Sequence, residues 1–157
     1  MSADTSRPAT PEDLKASERS GDCDKSVLAD VPVALPALTR AQKLQKRAAR
    51  VGFDWDHPDR VIDKIKEEIA EVEAEKDGAA RGEMTSITEE IGDLLFACAN
   101  LARKWDVDPE TALRRGNEKF ERRFRFVEAR AEVSEGVSAT PRSQLEDFWR
   151  EAKEAGL

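Results

Sequence analysis

From Leu38 onward, apolar residues recur every three or four positions, the spacing that places them on one face of an α-helix. Polar segments that contain Gly or Pro interrupt this pattern and predict five helices. The predicted helices run over about residues 40–51, 58–77, 86–105 and 109–132, and Thr140-Pro141 opens a short fifth helix. The segment DGAARGEM between the second and third helices is a predicted loop. No segment alternates as a β-strand does, so the predicted fold class is all-α, a bundle of about four to five helices.

Local signals predict where several of these helices begin and end. Thr39 is the candidate N-cap of the first helix, and Gly52 is its candidate terminator. Ser86 and Glu89 have the spacing of a capping box at the start of the third helix. Asp108, followed directly by a proline, is placed to cap the fourth helix.

The first 35 residues differ from the rest of the chain. They are rich in Ser, Thr, Pro and Asp and show no helical periodicity, so residues 1–35 are expected to form a disordered or loosely packed tail. One helical domain is expected over residues 36–157. The composition, with 38% charged and 39% hydrophobic residues, is typical of a soluble helical protein with charged outer faces.

Charge and cysteine content narrow the expected partners and compartment. The net charge of −7 disfavours general binding to nucleic acid or to anionic membranes. No apolar run approaches the roughly 18 residues that a membrane span needs, and the N-terminus lacks the pattern of a signal peptide. Cys23 lies in the polar tail and Cys98 in an apolar run, where it is expected to be a small core residue. We therefore expect no structural disulfide and a cytoplasmic location.

Two pairs of carboxylates flank the apolar stripes of the second and third helices. Glu68 and Glu71 stand three residues apart, and Glu90 and Asp93 repeat that spacing on the same flank. If the two helices pack antiparallel through their stripes, the four acids converge and repel one another unless a cation lies between them. No His lies in a predicted helix and neither Cys has zinc-site spacing, so oxygen ligands alone favour Mg²⁺, with Mn²⁺ possible. Mg²⁺ held by carboxylates keeps positions for phosphate oxygens, which points to a phosphate-bearing substrate.

Two basic residues on the fourth helix are candidates for binding that phosphate. Lys119 and Arg123 lie one turn apart on the edge of the apolar stripe. Lys119 can act as a point charge and Arg123 as a bidentate fork. From the pattern alone, salt bridges on a charged helix are the commoner role for such residues. Trp149, in the fifth helix, is open to two interpretations: a core residue, which is commoner, or a platform on which a base stacks.

Several segments, in this order, resemble the MazG family of nucleoside triphosphate pyrophosphohydrolases, within the all-α NTP pyrophosphatase superfamily. LPALTRAQKLQKRAARVGFDWD looks like the entry to the C-terminal domain of two-domain members, and EEIAEV and EEIGDLLFACANLAR look like the two halves of the ExxE…ExxD signature. GNEKFERRFRFVE resembles the basic helix of the family, and LEDFWREAK its C-terminal segment. The resemblance covers residues 35–153.

This resemblance implies a reaction and a set of site residues. The reaction is Mg²⁺-dependent hydrolysis of a nucleoside triphosphate between the α and β phosphates, which gives a monophosphate and pyrophosphate. Carried over by motif, the metal ligands are Glu68, Glu71, Glu90 and Asp93. One of these acids or a metal-bound water would prepare the nucleophile. Lys119 and Arg123 would hold the polyphosphate and stabilise charge in the transition state, and Trp149 would help to form the site. The resemblance also implies a homodimer or higher homo-oligomer whose sites can be completed across subunits.

Two alternative functions stay open from the sequence. The first is a house-cleaning pyrophosphatase that is selective for one deoxynucleotide or for a damaged nucleotide. The second is a non-catalytic helical module that binds a nucleotide or a partner protein. Two departures from the family bear on substrate preference: this chain has room for only one of the two domains of longer members, and Ser86 stands where members can carry a lysine.

Overall fold

The computed structural model describes residues 26–82, 84–133 and 136–157. Five helices follow one another along the chain: α1 (Ala37–Arg50), α2 (Pro58–Ala80), α3 (Met84–Lys104), α4 (Pro109–Glu132) and α5 (Arg142–Glu154). The described ranges contain no strand, so the predicted all-α fold class is confirmed. Of the predicted tail, residues 1–25 lie outside the described residues, and residues 26–36 form turns in which Val31 is buried. None of the described helices combines the length and apolar character needed to cross a membrane.

Two of the predicted end signals act as expected. Gly52 terminates α1 with a positive φ of 86°, a conformation that glycine adopts without steric cost. The N–H groups of Gly52 and Phe53 donate to the carbonyls of Ala49 and Ala48, which is the Schellman pattern. At the start of α4, Asp108 Oδ1 accepts the N–H of Thr111 at 2.7 Å and satisfies an amide that the helix leaves free.

Three other predicted helix ends are wrong. Thr39 is not an N-cap, because α1 already begins at Ala37. Ser86 cannot start a capping box, because α3 begins at Met84 and places Ser86 inside its first turn. The helix α2 continues to Ala80, through much of the predicted loop. In each case good helix formers, mainly Ala and Met, lie just outside the predicted range and lengthen the helix by about a turn or less.

The helix α3 is the centre of the arrangement. It contacts α1, α2 and α4, while α5 packs on α4. Only three residues of the sequence separate Ala80 at the end of α2 from Met84 at the start of α3, and a short connection of this kind makes two helices antiparallel neighbours. Buried side-chain amides tie α1 to the region of α3: Gln45 Nε2 donates to the Phe96 carbonyl at 2.8 Å, and Gln42 Nε2 donates to the Val107 carbonyl at 2.9 Å.

The packing divides the bundle into an acidic half and a basic half. The acidic half is the α2–α3 pair, which carries the four candidate metal ligands, and the basic half is the α4–α5 pair, which carries Lys119 and Arg123. Among the described residues, no Cα atom of α2 lies within 8 Å of one in α4 or α5. Among the five described helices, the two halves therefore meet through α3, which contacts α4, and through α1, which contacts both α3 and α4.

The core is built from small side chains, and many large apolar side chains stay exposed. The buried hydrophobic residues are Val31, Ala41, Val61, Ala97, Ala99, Val127, Ala131 and Ala152. By contrast, Leu95 on α3 is 52% exposed and Phe120 on α4 is 57% exposed. Cys98 was expected in the core but is exposed, and it is a free thiol. Within the described residues, no element covers the apolar face of α3 on which Cys98 lies.

One carboxylate fastens the segment between α1 and α2 to the last turn of α3. Asp54 Oδ1 accepts a hydrogen bond from Arg103 Nη2 at 2.5 Å, and Asp54 Oδ2 lies 2.8 Å from Lys104 Nζ. The Lys104 ammonium also donates to the carbonyl of Trp55. Desolvation raises the pKa of Asp54, but the hydrogen bonds and charges of Arg103 and Lys104 outweigh it, so the net pKa lies below 3.8. Both cations also complement the negative end of the helix dipole.

Replacing Asp54 with Asn should lower the melting temperature at pH 7, because the two cations lose their counter-charge. We expect a loss of about 1–2 kcal/mol for this partly buried pair of charged hydrogen bonds. Since the pKa of Asp54 is depressed on folding, its contribution is complete above 3.8 and disappears as the pH falls through the folded value. The difference between variant and parent should therefore shrink below about pH 4 in thermal melts followed by circular dichroism.

The matched control for this experiment is Asp56→Asn. Asp56 is exposed and forms no ion pair within the described part of the chain. It should melt like the parent at both ends of the pH range. If Asp54→Asn also melts like the parent at pH 7, then Asp54 does not hold the segment in place.

Candidate functional site

Three carboxylates from α2 and α3 converge on one point. Glu68, Glu71 and Glu90 each direct one oxygen into a group whose members all lie within 4.8 Å of one another. Glu68 and Glu71 share a face of α2 because they are three residues apart, and Glu90 approaches from α3. The convergence follows from the packing of two helices through apolar stripes that acids flank.

Glu68 is deeply buried within this cluster. The residue is 4% exposed, which is rare for a glutamate. Its Oε1 atom accepts a hydrogen bond from the Lys64 ammonium at 2.9 Å, whereas its Oε2 atom is buried and has no hydrogen-bond donor among the described residues. A buried acceptor without a donor costs on the order of 1–3 kcal/mol, and more when it carries charge. A cation beside Oε2 would remove that cost.

Among the described residues, Lys64, one helical turn before Glu68, forms an ion pair with the cluster. The Lys64 Nζ atom lies 2.6 Å from Glu67 Oε1 and 2.9 Å from Glu68 Oε1. Its hydrogen bonds to Glu67 and then to Glu68 raise the pKa of Lys64, so the side chain stays protonated at neutral pH. The helix wheel did not single out Lys64, although its i, i+4 spacing to Glu68 is the signal that could have revealed the pair.

The negative charges of the other three candidate ligands, Glu71, Glu90 and Asp93, are compensated less than the charge of Glu68. Desolvation raises the pKa of Glu71, and a hydrogen bond with Glu68 and the charges of Glu68 and Glu90 raise it further, while Lys64 opposes the shift. Asp93 is not part of the closest group of three. It lines a cleft of about 270 Å³ together with Glu68 and Lys64. The structure thus brings three of the four predicted ligands to one point and places the fourth on the wall of the neighbouring cleft.

The donor set fits a hard divalent cation. The three converging groups are all carboxylates, and the buried Glu68 oxygen lacks a donor. Oxygen ligands of this kind suit Mg²⁺ or Mn²⁺. Desolvation and, to a smaller degree, the charges of Glu68 and Glu90 raise the pKa of Glu71, and the charge of a bound ion would favour the ionised carboxylates. Glu68, Glu71 and Glu90 could therefore hold a metal ion.

The predicted phosphate-binding residues lie in the basic half. Arg123 Nε donates to the carbonyl of Leu157 at 2.6 Å, and its guanidinium carbon lies 5.9 Å from the centroid of the half-buried Trp149 ring. Phe120 packs against the same ring, with the two centroids 5.4 Å apart. Lys119 is exposed, one turn before Arg123. Contacts with Phe120 and Arg123 thus fix Trp149. Within the described part of the chain, neither Lys119 nor Arg123 forms a hydrogen bond or an ion pair with the four acids.

Comparison with known proteins gives consistent matches along most of the chain. Residues 57–127 match the family model of the MazG nucleotide pyrophosphohydrolase domain. The chain is 46% identical over 144 residues to a protein of Escherichia coli K12 named nucleoside triphosphate pyrophosphohydrolase, which covers 90% of the chain and 54% of that protein. It is 39% identical over 143 residues to the nucleoside triphosphate pyrophosphohydrolase/pyrophosphatase MazG of Thermotoga maritima, with 90% and 53% covered.

A third relative places a similar region in a longer protein. The uncharacterized protein YabN of Bacillus subtilis is 41% identical over 145 residues, which is 91% of this chain and 29% of YabN. The chain spans about half the length of the E. coli and T. maritima relatives that it matches. The similarity therefore concerns one region that recurs in longer proteins.

Replacing Lys64 with Met should strengthen metal binding in the absence of nucleotide. The substitution keeps the length of the side chain but removes the ammonium that competes with a metal ion for Glu68. We expect the dissociation constant for Mn²⁺, measured by titration calorimetry, to fall roughly three- to tenfold. The metal-free variant should also melt at a lower temperature, because the acids lose their internal counter-ion.

Lys66→Met is the matched control for the metal titration. Lys66 lies on the same helix, pairs with the exposed Asp63 and does not contact the cluster. It should bind Mn²⁺ as the parent does. An unchanged or weaker affinity in Lys64→Met would contradict the competition between the ammonium and the metal.

Proposed function

Because the chain belongs to the MazG family, we propose that it hydrolyses nucleoside triphosphates between the α and β phosphates, with release of a nucleoside monophosphate and pyrophosphate. The observation that carries this proposal is the convergence of Glu68, Glu71 and Glu90, of which Glu68 is buried, beside an open cleft. The family model and the names of the E. coli and T. maritima relatives support it. The described residues compensate only part of the negative charge of these acids. A metal ion that binds together with the phosphate chain would compensate the rest.

The acidic cluster would hold the metal, and we propose Mg²⁺, with Mn²⁺ as a substitute. Glu68, Glu71 and Glu90 would bind the ion, and Asp93 would join them from the cleft wall. When bound, the ion would bind phosphate oxygens and offset the negative charge that grows during cleavage. A carboxylate of the cluster would accept a proton from the attacking water as the water oxygen bonds to phosphorus. The α–β anhydride bond breaks in the same reaction, and its bridging oxygen leaves with one of the two products.

The basic half would hold the phosphates that the metal does not bind. Lys119 would act as a point charge, and Arg123 would donate two parallel hydrogen bonds to phosphate oxygens. Trp149 supports the Arg123 guanidinium from one side. Its ring would thereby orient the arginine toward the substrate and help to form the site.

We also propose that the protein acts as a homodimer in which each site draws on both subunits. Both halves of one chain expose apolar side chains: Ile91 and Leu95 on α3, and Leu113 and Phe120 on α4. If the basic half of one subunit covers the acidic half of its partner, these surfaces are buried and the opposite charges meet. The twofold arrangement makes two equal sites and brings Lys119 and Arg123 of one subunit to the acids of the other.

Product analysis tests the proposed reaction directly. With Mg²⁺ and a panel of common and modified nucleoside triphosphates, we expect monophosphate and pyrophosphate as products. Glu90→Ala and Asp93→Ala should each lower turnover by roughly a hundredfold or more while the fold stays intact, because a proposed metal ligand is lost without a gap in the core. The adjacent exposed Glu89 is the matched control, and Glu89→Ala should remain active.

Each other outcome of this panel has a defined meaning. Diphosphate and phosphate as products would contradict the proposed bond. Strong preference for one deoxynucleotide or damaged nucleotide would identify a house-cleaning pyrophosphatase. Binding without cleavage of any nucleotide would identify a non-catalytic module. Near-parental turnover in Glu90→Ala or Asp93→Ala at saturating Mg²⁺ would remove that residue from the site.

Mixing two inactive variants tests whether sites are shared between subunits. Glu90→Ala and Arg123→Ala should each be nearly inactive alone. After subunit exchange, half of the dimers are mixed, and each mixed dimer contains one site with neither substitution, so about a quarter of the parental activity should return. Native mass spectrometry would verify that mixed dimers have formed. Mixed dimers without recovered activity would show that each site lies within one subunit, and a monomer would contradict the proposed assembly.

A further inference from the structure

A basic cavity lies on α1, in a chain whose net charge is −7. Its volume is about 330 Å³, and four of the residues that line it are cations: Lys43, Lys46, Arg47 and Arg50. None of the four belongs to the α2–α3 pair or to the α4–α5 pair, which carry the residues of the proposed reaction. The proposed reaction therefore gives this concentration of positive charge no role.

The four cations form one row along the helix. Their spacing is i, i+3, i+4 and i+7, which places them on a single face within about 10 Å along the helix axis. The helix α1 contains no Asp or Glu that could pair with them. The helix dipole favours Arg47 and Arg50, which lie in the last turn. It does not account for Lys43, which lies two turns before the end of the helix.

Both walls of the cavity have buried anchors. On the α1 side, Gln42 lines the cavity and is 8% exposed, and its Nε2 atom donates to the Val107 carbonyl at 2.9 Å. The facing wall is the turn segment of Asp30, Val31 and Pro32, in which Val31 is buried. The cavity thus lies between a helix and a segment that are each held in place, and it is not formed by exposed side chains alone.

The positive charge of the row is only weakly compensated. Among the described residues, Asp30 is the one acid that lines the cavity; its carboxylate lies 3.7 Å from Arg47 Nη2, and its side chain is 82% exposed. Lys43, Lys46 and Arg50 form no hydrogen bond or ion pair within the described part of the chain. Like charges one turn apart on a helix repel one another, and a bound anion would replace this repulsion with attraction.

We propose that this cavity binds a small condensed phosphate, an anion with two or three linked phosphate groups, and that the anion replaces Asp30 as the partner of Arg47. A single phosphate group reaches the cations of one helical turn, whereas linked phosphates span the two turns of the row. Two arginines supply forks for phosphate oxygens, and two lysines supply point charges. The volume suits a small molecule and does not form the long groove that a nucleic-acid strand follows.

This anion site differs from the proposed catalytic site in its need for metal. Glu68, Glu71 and Glu90 repel a phosphate chain unless a divalent ion lies between them and the phosphates. The cations on α1 attract the same chain directly. Binding in the presence of EDTA therefore reports on the α1 site. The inference does not rest on the proposed reaction, so each can fail without the other.

Calorimetric titration with inorganic tripolyphosphate, in EDTA and at low salt, tests the site. We expect one anion per chain, with a dissociation constant that rises as salt is added. Lys46→Ala and Arg50→Ala should each raise the dissociation constant roughly three- to tenfold. Lys76→Ala is the matched control, because Lys76 is exposed on α2 and does not line the cavity. Arg123→Ala should also bind as the parent does, since Arg123 lies on α4.

Asp30→Asn should bind tripolyphosphate more tightly than the parent. The substitution removes the carboxylate that competes with the anion for Arg47. We expect the dissociation constant to fall roughly two- to fivefold. Asp77→Asn is the matched control, because Asp77 is an exposed acid of α2 that does not line the cavity. A residue with only a structural role would not give a gain in affinity when it is replaced.

Melting curves without the anion verify that weaker binding does not come from unfolding. Lys46→Ala should melt no lower than the parent, because the substitution reduces the repulsion along the row. Added tripolyphosphate should raise the melting temperature of the parent more than that of Lys46→Ala. An equal rise in both proteins would contradict a role of Lys46 in binding the anion.

Several results would overturn the anion site. These are a parent that does not bind tripolyphosphate in EDTA, equal binding by the parent, Lys46→Ala and Arg50→Ala, or no gain in Asp30→Asn. A loss in Arg123→Ala as large as in Arg50→Ala would place the anion in the basic half instead. Inorganic phosphate that binds as tightly as tripolyphosphate would contradict the need for linked phosphates. A single-stranded oligonucleotide that binds more tightly than tripolyphosphate, and loses affinity in Lys46→Ala, would identify a nucleic-acid surface instead.

Discussion

A buried carboxylate at the contact between α2 and α3 is the constraint on which the rest of this protein depends. Glu68 is nearly inaccessible to solvent, and two further acids, Glu71 and Glu90, approach it from the two helices. The two helices can pack through their apolar stripes only if a nearby cation or hydrogen-bond donor compensates the buried charge of Glu68. Lys64 donates a hydrogen bond to one carboxylate oxygen of Glu68, and the other oxygen has no donor among the described residues. The Lys64 ammonium thus compensates part of the negative charge of the cluster, and a bound metal ion could compensate the rest.

The distribution of apolar side chains sets a second constraint, on the chain as a whole. Small residues such as Ala99 and Ala131 fill the core, while Leu95, Phe120 and other large side chains remain exposed. Close packing of small residues brings helix backbones together, but it buries little apolar area per residue. The exposed area lies on both the acidic half and the basic half. A second copy of the chain would cover both surfaces and would unite the two sets of charged residues that one chain keeps apart.

The last turn of α3 connects the site to the remainder of the fold. Arg103 binds both Asp54 and Asn100, and Lys104 binds Asp54 and the carbonyl of Trp55. These hydrogen bonds link a segment between helices, a helix end and a buried amide on the cleft wall. The same cations favour the C-terminal end of the α3 dipole. A stabilising feature of one helix thereby also positions the α1–α2 segment, from which Trp55 reaches the cleft.

The sequence by itself determined the helices and the local geometry within each. Periodicity identified all five, and Gly52 and Asp108 ended or began helices as their local chemistry dictates, because such signals act within one turn. The spacing of Glu68 and Glu71 placed both acids beside the stripe of α2, because side-chain direction along a single helix depends only on residue number. By contrast, weak capping signals such as Thr39 did not outweigh helix propensity, and the predicted boundary was wrong.

Only the tertiary structure decided which faces meet. A helix wheel specifies direction about the helix's own axis, but not the rotation and translation of the neighbouring helix. The rotation and translation of α3 against α2 placed Glu90 next to Glu71 and Asp93 on the cleft wall. The packing also brought Trp55, from the segment between α1 and α2, to the same cleft. It also left Cys98 exposed, because an apolar face is buried only when another element covers it and none of the described elements covers this one.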